Sequence, residues 1–211
     1  MMSRTASVLE LLLFLGGVPL LALTEPGYAV RHLLLALSCV YAVWRLYGRI
    51  NWRYLGGRPF PGWWRGSLAR GLLVAVCALA YVWIVEPDSL FMLPRERPML
   101  WLLIVVAYPL LSVIPQEVIY RVYLFEVHAG VWEKNPRLAT GVSALLFAWM
   151  HIVFTGWFAV VTTLVGGLLL ADTYLRARAR PGVLWVVTFE HSLYGLALFT
   201  VGLGKYFFMP H

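Results

Sequence analysis

Apolar runs of about 20 residues recur along this 211-residue chain, and they limit its fold more than any other feature. A helix of about 20 residues crosses the hydrocarbon core of a bilayer, and inside lipid only helices and closed barrels satisfy their backbone polar groups. The runs are 8–23, 29–47, 68–85, 98–125, 138–154, 157–175 and 183–201. With 61% hydrophobic and 13% charged residues, the sequence predicts an all-α fold, a polytopic transmembrane helical bundle of about seven spans.

The runs divide into two predicted regions. Residues 1–97 form an N-terminal three-span region, and residues 98–211 form a second region that holds the intramembrane polar residues. The first run resembles a signal peptide in length, but Glu10 interrupts its start and six spans follow, so we expect a retained helix. Pro115 is expected to kink or break the fourth span, because proline removes a backbone hydrogen bond.

The charged residues predict how the chain lies in the membrane. With the N-terminus inside, twelve lysines and arginines fall in inner segments and four in outer segments. This asymmetry follows the positive-inside rule and predicts a cytoplasmic N-terminus in a multi-pass protein of the plasma membrane. Segment 49–65 mixes glycine, proline, tryptophan and arginine, which is typical of an interfacial segment. The net charge of +7 therefore indicates contact with the lipid bilayer, and no nucleic-acid partner is predicted.

The fourth span carries a carboxylate and a guanidinium one helical turn apart. Glu117 and Arg121 are at positions i and i+4, so they share a helix face, and Gln116 lies about 100° around the helix. A charge at the bilayer centre costs about 2.5–3.5 kcal/mol on insertion scales. Two interpretations remain open for this pair. It is either an ion pair that fixes helix packing, or a general base oriented by its arginine.

Two later spans carry further ionisable residues. His151 ends one apolar run, where a histidine is more often an interfacial residue than a catalytic one. Glu190 and His191 are adjacent inside the last run, with Tyr194 one turn from Glu190. One of the adjacent pair is expected to face a cavity and the other a neighbouring helix. Polar side chains on three spans suggest one shared intramembrane site.

Missing motifs narrow the class of enzyme. The chain has no H-E-x-x-H, no Gly-x-Ser-Gly and no Gly-x-Gly-Asp sequence, which disfavours a helical zincin, a serine rhomboid and an intramembrane aspartyl protease. It also has no P-loop and no dinucleotide fingerprint.

Taken in order, the three polar elements resemble the CAAX prenyl protease and bacteriocin-processing family, also called the CPBP or Abi family. The family motif E-E-x-x-x-R corresponds to Gln116–Arg121, the motif of an aromatic, three residues and His corresponds to Phe147 and His151, and the motif of His, three residues and Asn or Asp corresponds to His191 and Gly195. The resemblance covers about residues 98–204 and implies that 98–211 is a CPBP-like catalytic core. It also implies a membrane endopeptidase whose substrates are membrane-associated peptides or prenylated proteins.

The chain departs from the family pattern at two positions. Gln116 stands where the family has its water-activating glutamate, and an amide accepts no proton at useful pH. Gly195 stands where the family has Asn or Asp, which removes a donor that stabilises the oxyanion together with the counterpart of His191. Glu117 is expected to take over as base, and Glu190 or Tyr194 to enter the site.

The leading hypothesis is hydrolysis of peptide bonds by water activated by Glu117 and His151, with His191 stabilising the oxyanion. A variant places a divalent metal such as Zn²⁺ on Glu117, His151 and His191, which are suitable ligand types, and the sequence does not decide between metal and no metal. One alternative is a catalytically silent CPBP-like scaffold or regulator in the membrane. Another is a small proton-coupled transporter with a Glu–His relay.

Overall fold

The computed structural model describes residues 3–24, 27–132, 135–154 and 156–207. These residues form helices and connecting turns without any strand, and seven of the helices are long and apolar enough to cross a membrane. In chain order they are α1 Arg4–Thr24, α2 Ala29–Leu46, α3 Trp64–Val85, α4 Pro98–Val127, α5 Pro136–Val153, α6 Trp157–Ala177 and α7 Val183–Val201. The predicted all-α bundle of seven spans is confirmed, and the chain is an integral multi-pass membrane protein.

Helix α4 is longer than a simple span and continues past Pro115. It has π-helical hydrogen bonding over Pro109–Val113 and Val118–Val127, with an α-helical turn at Ile114–Glu117 between them. A π-helical turn is wider than an α-helical turn and shifts the register of the side chains that follow it. The expected break at Pro115 is therefore replaced by a local change of helix type, which redirects the side chains around the motif.

The start of α5 and both ends of α7 follow local sequence rules. Asn135 caps α5, because its side chain accepts a hydrogen bond from the backbone N–H of Leu138, and Pro136 follows at the first helical position. Helix α7 lies between Gly182 and Gly202, which have φ angles of 74° and 114°. Only glycine adopts these conformations without strain, so these two glycines fix where α7 begins and ends.

Small residues bring the spans into close contact. A Cβ atom on Gly167 of α6 would lie 2.9 Å from the Cα of Ala144 in α5, and one on Gly71 of α3 would lie 2.9 Å from Leu193 Cδ1 in α7. The neighbouring Gly166 has open space instead. Large apolar side chains of all seven spans are exposed at the surface of the bundle, as expected for faces that contact lipid tails.

The predicted interfacial segment packs on the loop between α6 and α7. Its short helix, Trp52–Leu55, is held by three hydrogen bonds that cross between the two segments: from Tyr54 Oη to the carbonyl of Ala179, from the N–H of Gly182 to the carbonyl of Tyr54, and from Trp185 Nε1 to the carbonyl of Gly56. The division into regions 1–97 and 98–211 stays a prediction. Contacts such as Gly71 with Leu193 join the two regions inside the bundle.

Candidate active site

A largely apolar cavity of about 360 Å³ lies among α2, α4, α5, α6 and α7. Leu100 near the start of α4, Phe154 after α5 and Phe199 near the end of α7 contribute to its wall. Consecutive spans run in opposite directions, so these three residues mark one side of the membrane. The polar side chains of the lining include Tyr108, Ser112, Gln116, His151, His191 and Tyr194. The cavity thus combines an apolar wall with a few polar groups, as ligand sites usually do.

Glu117 and Arg121 lie beside the cavity and are completely buried. Both side chains are 0% exposed, and Arg121 Nε is 3.5 Å from Glu117 Oε2. The guanidinium also lies 4.9 Å from the ring centroid of Phe147 and 3.4 Å from Ser143 Oγ. Ser143 donates in turn to the carbonyl of Tyr120. Arg121 therefore neutralises Glu117 inside the bundle.

Glu117 also joins α4 to α7 through a short hydrogen bond. The Nδ1 atom of His191 lies 2.7 Å from Glu117 Oε1. An ionised carboxylate only accepts, so Nδ1 carries the proton and Nε2 is the ring nitrogen left for the cavity. A carboxylate that holds one ring nitrogen fixes the tautomer and the orientation of the imidazole. The structure brings His191 and Glu117 together.

His151 lines the same cavity from the end of α5. Its Nδ1 atom is 2.7 Å from the carbonyl oxygen of Phe147, and because a carbonyl only accepts, Nδ1 is the donor. The Nε2 atom of the neutral ring then carries a lone pair. The ring of Phe147 lies between the two imidazoles, with centroid distances of 4.7 Å to His151 and 5.4 Å to His191.

Gln116 lines the cavity, whereas its neighbour Glu117 does not. The amide of Gln116 donates to Ser112 Oγ at 2.7 Å, and its Oε1 atom is buried without a hydrogen-bond partner among the described residues. Because the two side chains point about 100° apart, the motif presents an amide to the cavity and a carboxylate to His191.

Glu190 belongs to a second polar cluster on the other side of α7. Its carboxylate accepts from Ser67, Thr173 and Tyr194, and Arg70 Nη1 lies 3.4 Å from it. Asp172 then pairs with Arg70 at 2.8 Å. Although Glu190 and His191 are adjacent in sequence, they face different neighbours, and only Tyr194 links the two sites by lining the cavity and donating to Glu190.

The residues do not fit the proposed zinc site. Glu117 is sealed from the cavity and its Oε1 atom is bonded to His191, and no group of three His, Cys, Asp or Glu side chains in the described part of the chain is placed to hold a metal ion. Of the three predicted ligands, only His151 and His191 line the cavity, and Glu117 does not.

Tyr108 was not among the residues predicted from the sequence. It lines the cavity from α4, and its ring lies 6.1 Å from that of His191 in a T-shaped arrangement. A Cβ on Gly195 would fall within 2.5 Å of the Oη, Cε1 and Cζ atoms of Tyr108. The tyrosine therefore occupies the space that a side chain at position 195 would need. In sequence it is one aromatic residue in an apolar run, so no local signal marks it.

A comparison with known protein families matches the part of the chain that holds the cavity. Residues 98–197 match the family model described as type II CAAX prenyl endopeptidase, Rce1-like. Neither the curated proteins nor the solved structures gave a match. The matched segment includes α4 to α7 almost completely, together with all the polar groups of the cavity described above. Over residues 98–197 the chain is therefore similar to the CAAX prenyl protease (CPBP) family.

Proposed function

We propose that the protein is an intramembrane endopeptidase that hydrolyses peptide bonds of membrane-associated substrates. The observation that carries this proposal is the 2.7 Å hydrogen bond between Glu117 and His191 beside an apolar cavity that His151 also lines. A carboxylate-oriented imidazole in a largely apolar cavity is suited to acyl-transfer chemistry. The match of residues 98–197 to the CAAX prenyl endopeptidase family model supports the same reaction class.

His151 is the proposed general base. Its Nε2 lone pair accepts a proton from a water molecule in the cavity as the water oxygen attacks the scissile carbonyl carbon. The C=O double bond opens to a tetrahedral oxyanion. The imidazolium of His151 then gives its proton to the amide nitrogen, the C–N bond breaks, and a free amine and a carboxylic acid leave.

His191 is the proposed oxyanion donor. When its ring is protonated, Nε2–H donates into the cavity while Nδ1–H stays on Glu117. Glu117 then acts as a positioning residue for His191 and not as the direct base expected from sequence, because its 0% exposed carboxylate is closed off from the cavity. Arg121 pairs with this carboxylate inside the bundle.

The proposed substrate is a membrane-tethered chain, such as a prenylated protein. An apolar cavity of about 360 Å³ accommodates lipid-modified or apolar side chains near the scissile bond. The proposed N-inside topology in the plasma membrane puts the ends of α5 and α7 outside, and Phe154 and Phe199 at those ends line the cavity. Substrates would then enter from the outer half of the membrane.

Cleavage of a fluorogenic, prenylated peptide in liposomes tests the proposal. We expect turnover by the wild type, loss of at least 100-fold in kcat for His151→Ala and for His191→Ala, and a similar loss for Glu117→Gln. Glu126→Gln is the matched control, since Glu126 lies on the same helix but pairs with Tyr174 and Arg178. Equal activity in all four variants would contradict the assignment.

A catalytically silent scaffold is the second candidate. Gln116 favours it, because the amide lines the cavity at the position where the family has its glutamate. In this case the wild type would show no turnover on any membrane-tethered peptide, yet would still bind one.

A proton-coupled transporter is the third candidate. It is favoured by the polar chain from Tyr194 through Glu190 and Arg70 to Asp172, whose carboxylate is 36% exposed. Proton uptake by sealed proteoliposomes under an imposed gradient, abolished in Glu190→Gln, would support this candidate instead.

A further inference from the structure

We infer that the phenol of Tyr108 is a second oxyanion donor that replaces the side chain missing at Gly195. This inference rests on the proposed peptidase function and adds a residue that neither the motif spacing nor the family pattern indicated. The side chain of Tyr108 occupies the space next to Gly195. The Oη, Cε1 and Cζ atoms of Tyr108 all lie within 2.5 Å of where a Cβ on Gly195 would stand.

The hydroxyl of Tyr108 is placed to donate into the cavity. Tyr108 lines the cavity together with His191 and Gly195, and its hydroxyl makes no hydrogen bond to any other described residue. Tyr108 is half-buried and lines the cavity, so its hydroxyl is accessible to a ligand there. The hydroxyl can therefore donate a hydrogen bond to a ligand beside His191, the first proposed oxyanion donor.

The neighbouring rings fix the position of this phenol. Tyr108 packs against His191 with a centroid distance of 6.1 Å and against Phe199 with 5.5 Å, both in T-shaped arrangements. A π-helical segment begins directly after it, at Pro109. Such segments reorient the side chains around them, and a donor that is already oriented needs no reorganisation when negative charge develops.

The chemistry balances without another reactant. The phenol donates a hydrogen bond to the developing oxyanion and keeps its proton, while the proton of the attacking water goes to His151 and then to the leaving amine. Removing one donor from an oxyanion hole lowers kcat by about 10²–10³-fold. Because the interaction forms mainly in the transition state, KM changes little.

The experiment compares Tyr108→Phe with the wild type in liposomes on the same prenylated peptide. We expect kcat to fall by about 100-fold or more with KM nearly unchanged. Tyr81→Phe is the matched control, because Tyr81 is a tyrosine of α3 that packs on Phe158 away from the cavity. A kcat for Tyr108→Phe equal to that of Tyr81→Phe would overturn the inference while leaving the peptidase function intact.

A rescue variant separates a lost donor from lost packing. Gly195→Asn alone should be poorly tolerated, because the new side chain overlaps Tyr108. Tyr108→Ala with Gly195→Asn frees that space and supplies an amide donor, so we expect it to exceed Tyr108→Ala in kcat by at least tenfold. No gain would count against the exchange of donors.

If the wild type shows no turnover, the proposed function is overturned, and the role of Tyr108 is tested by binding of a phosphinate analogue of the tetrahedral intermediate. Tyr108→Phe should weaken binding of the analogue more than binding of the parent peptide, because a transition-state analogue contacts the donors aimed at the oxyanion. Equal weakening of both ligands, or no binding of the analogue to the wild type, would overturn the role of Tyr108.

Discussion

Replacing Arg121 by Met should destabilise the folded protein strongly. Arg121 and Glu117 are both 0% exposed and 3.5 Å apart, so the substitution leaves a carboxylate buried without its cation. Coulomb's law gives about 5 kcal/mol for two unit charges at this distance and an effective dielectric constant near 20. Removing one partner of a buried pair typically costs about 3–5 kcal/mol. We expect a loss in this range.

The chain contains a matched control for this experiment. Arg178 and Glu126 are also 3.5 Å apart, but their side chains are 40% and 24% exposed. Exposed pairs contribute only about 0–1 kcal/mol, so Arg178→Met should reduce the free energy of unfolding by no more than that. The two pairs have the same separation and differ in burial, which isolates desolvation as the cause.

Unfolding in mixed micelles with increasing denaturing detergent, followed by tryptophan fluorescence, measures both losses. A double-mutant cycle with Glu117→Gln measures the coupling between the two residues. The double variant should lose less free energy of unfolding than the two single variants together, because no unpaired charge is left buried. Equal effects of Arg121→Met and Arg178→Met, or strict additivity in the cycle, would refute the buried ion pair.

Three further predictions follow from other parts of the chain. Gln116→Glu should raise kcat, because position 116 lines the cavity and a carboxylate there adds a base; a fall in kcat would instead favour Glu117 as the direct base. Reporter fusions after Arg58 and after Arg178 should both lie in the cytoplasm, and one after Pro94 on the opposite side; three identical readings would exclude the proposed topology. Burial, followed by two nearby arginines, lowers the pKa of His128 from 6.5 to about 4. The neutral imidazole therefore contributes to the free energy of unfolding above pH 6.5, and this contribution is lost as the pH falls towards 4. His128→Phe should remove that part of the pH dependence of unfolding. An unchanged pH profile would contradict the assignment.

The spans were predictable because hydropathy and length act locally along the chain. Apolar runs marked all seven, and the observed ends lie within a few residues of those expected for most of them. Helix α4 is the exception, because Pro115 predicted a kink or break and the structure has π-helical turns instead. A proline signals that a hydrogen bond is missing, but not which wider turn accommodates the loss.

The partners of the polar residues were not predictable to the same degree. The spacing of Glu117 and Arg121 fixed their common face, because both lie on one helix. By contrast, the orientation of α7 decides that His191 faces Glu117 while Glu190 faces Arg70. Adjacent residues point about 100° apart on a helix, so sequence indicated two directions without showing which neighbour lay in each.

Tyr108 and Gly195 show why a missing motif residue is hard to interpret from sequence. Glycine at position 195 looks like a lost donor when the motif is read alone. In the bundle, α4 and α7 approach closely enough for the phenol to fill that space. The replacement of a side chain at position 195 by Tyr108 depends on contact between segments that are distant in sequence. The sequence pattern of neither segment predicts that contact.

The charges around the cavity favour the transition state over the resting site. Arg121 and Glu117 cancel each other beside the cavity. In the proposed mechanism the proton taken from water stays on His151 while the oxyanion forms near His191, so the step creates one cation and one anion. The hydrogen bond from His191 then stabilises the new anion. Since an uncompensated charge is costly inside a membrane, the interaction strengthens as the oxyanion forms, which is the condition for lowering the barrier. Glu117→Gln removes the carboxylate that holds Nδ1 of His191, so the ring is no longer fixed towards the oxyanion. Loss of kcat in that variant, with the peptide still bound, is therefore the outcome that this positioning role requires.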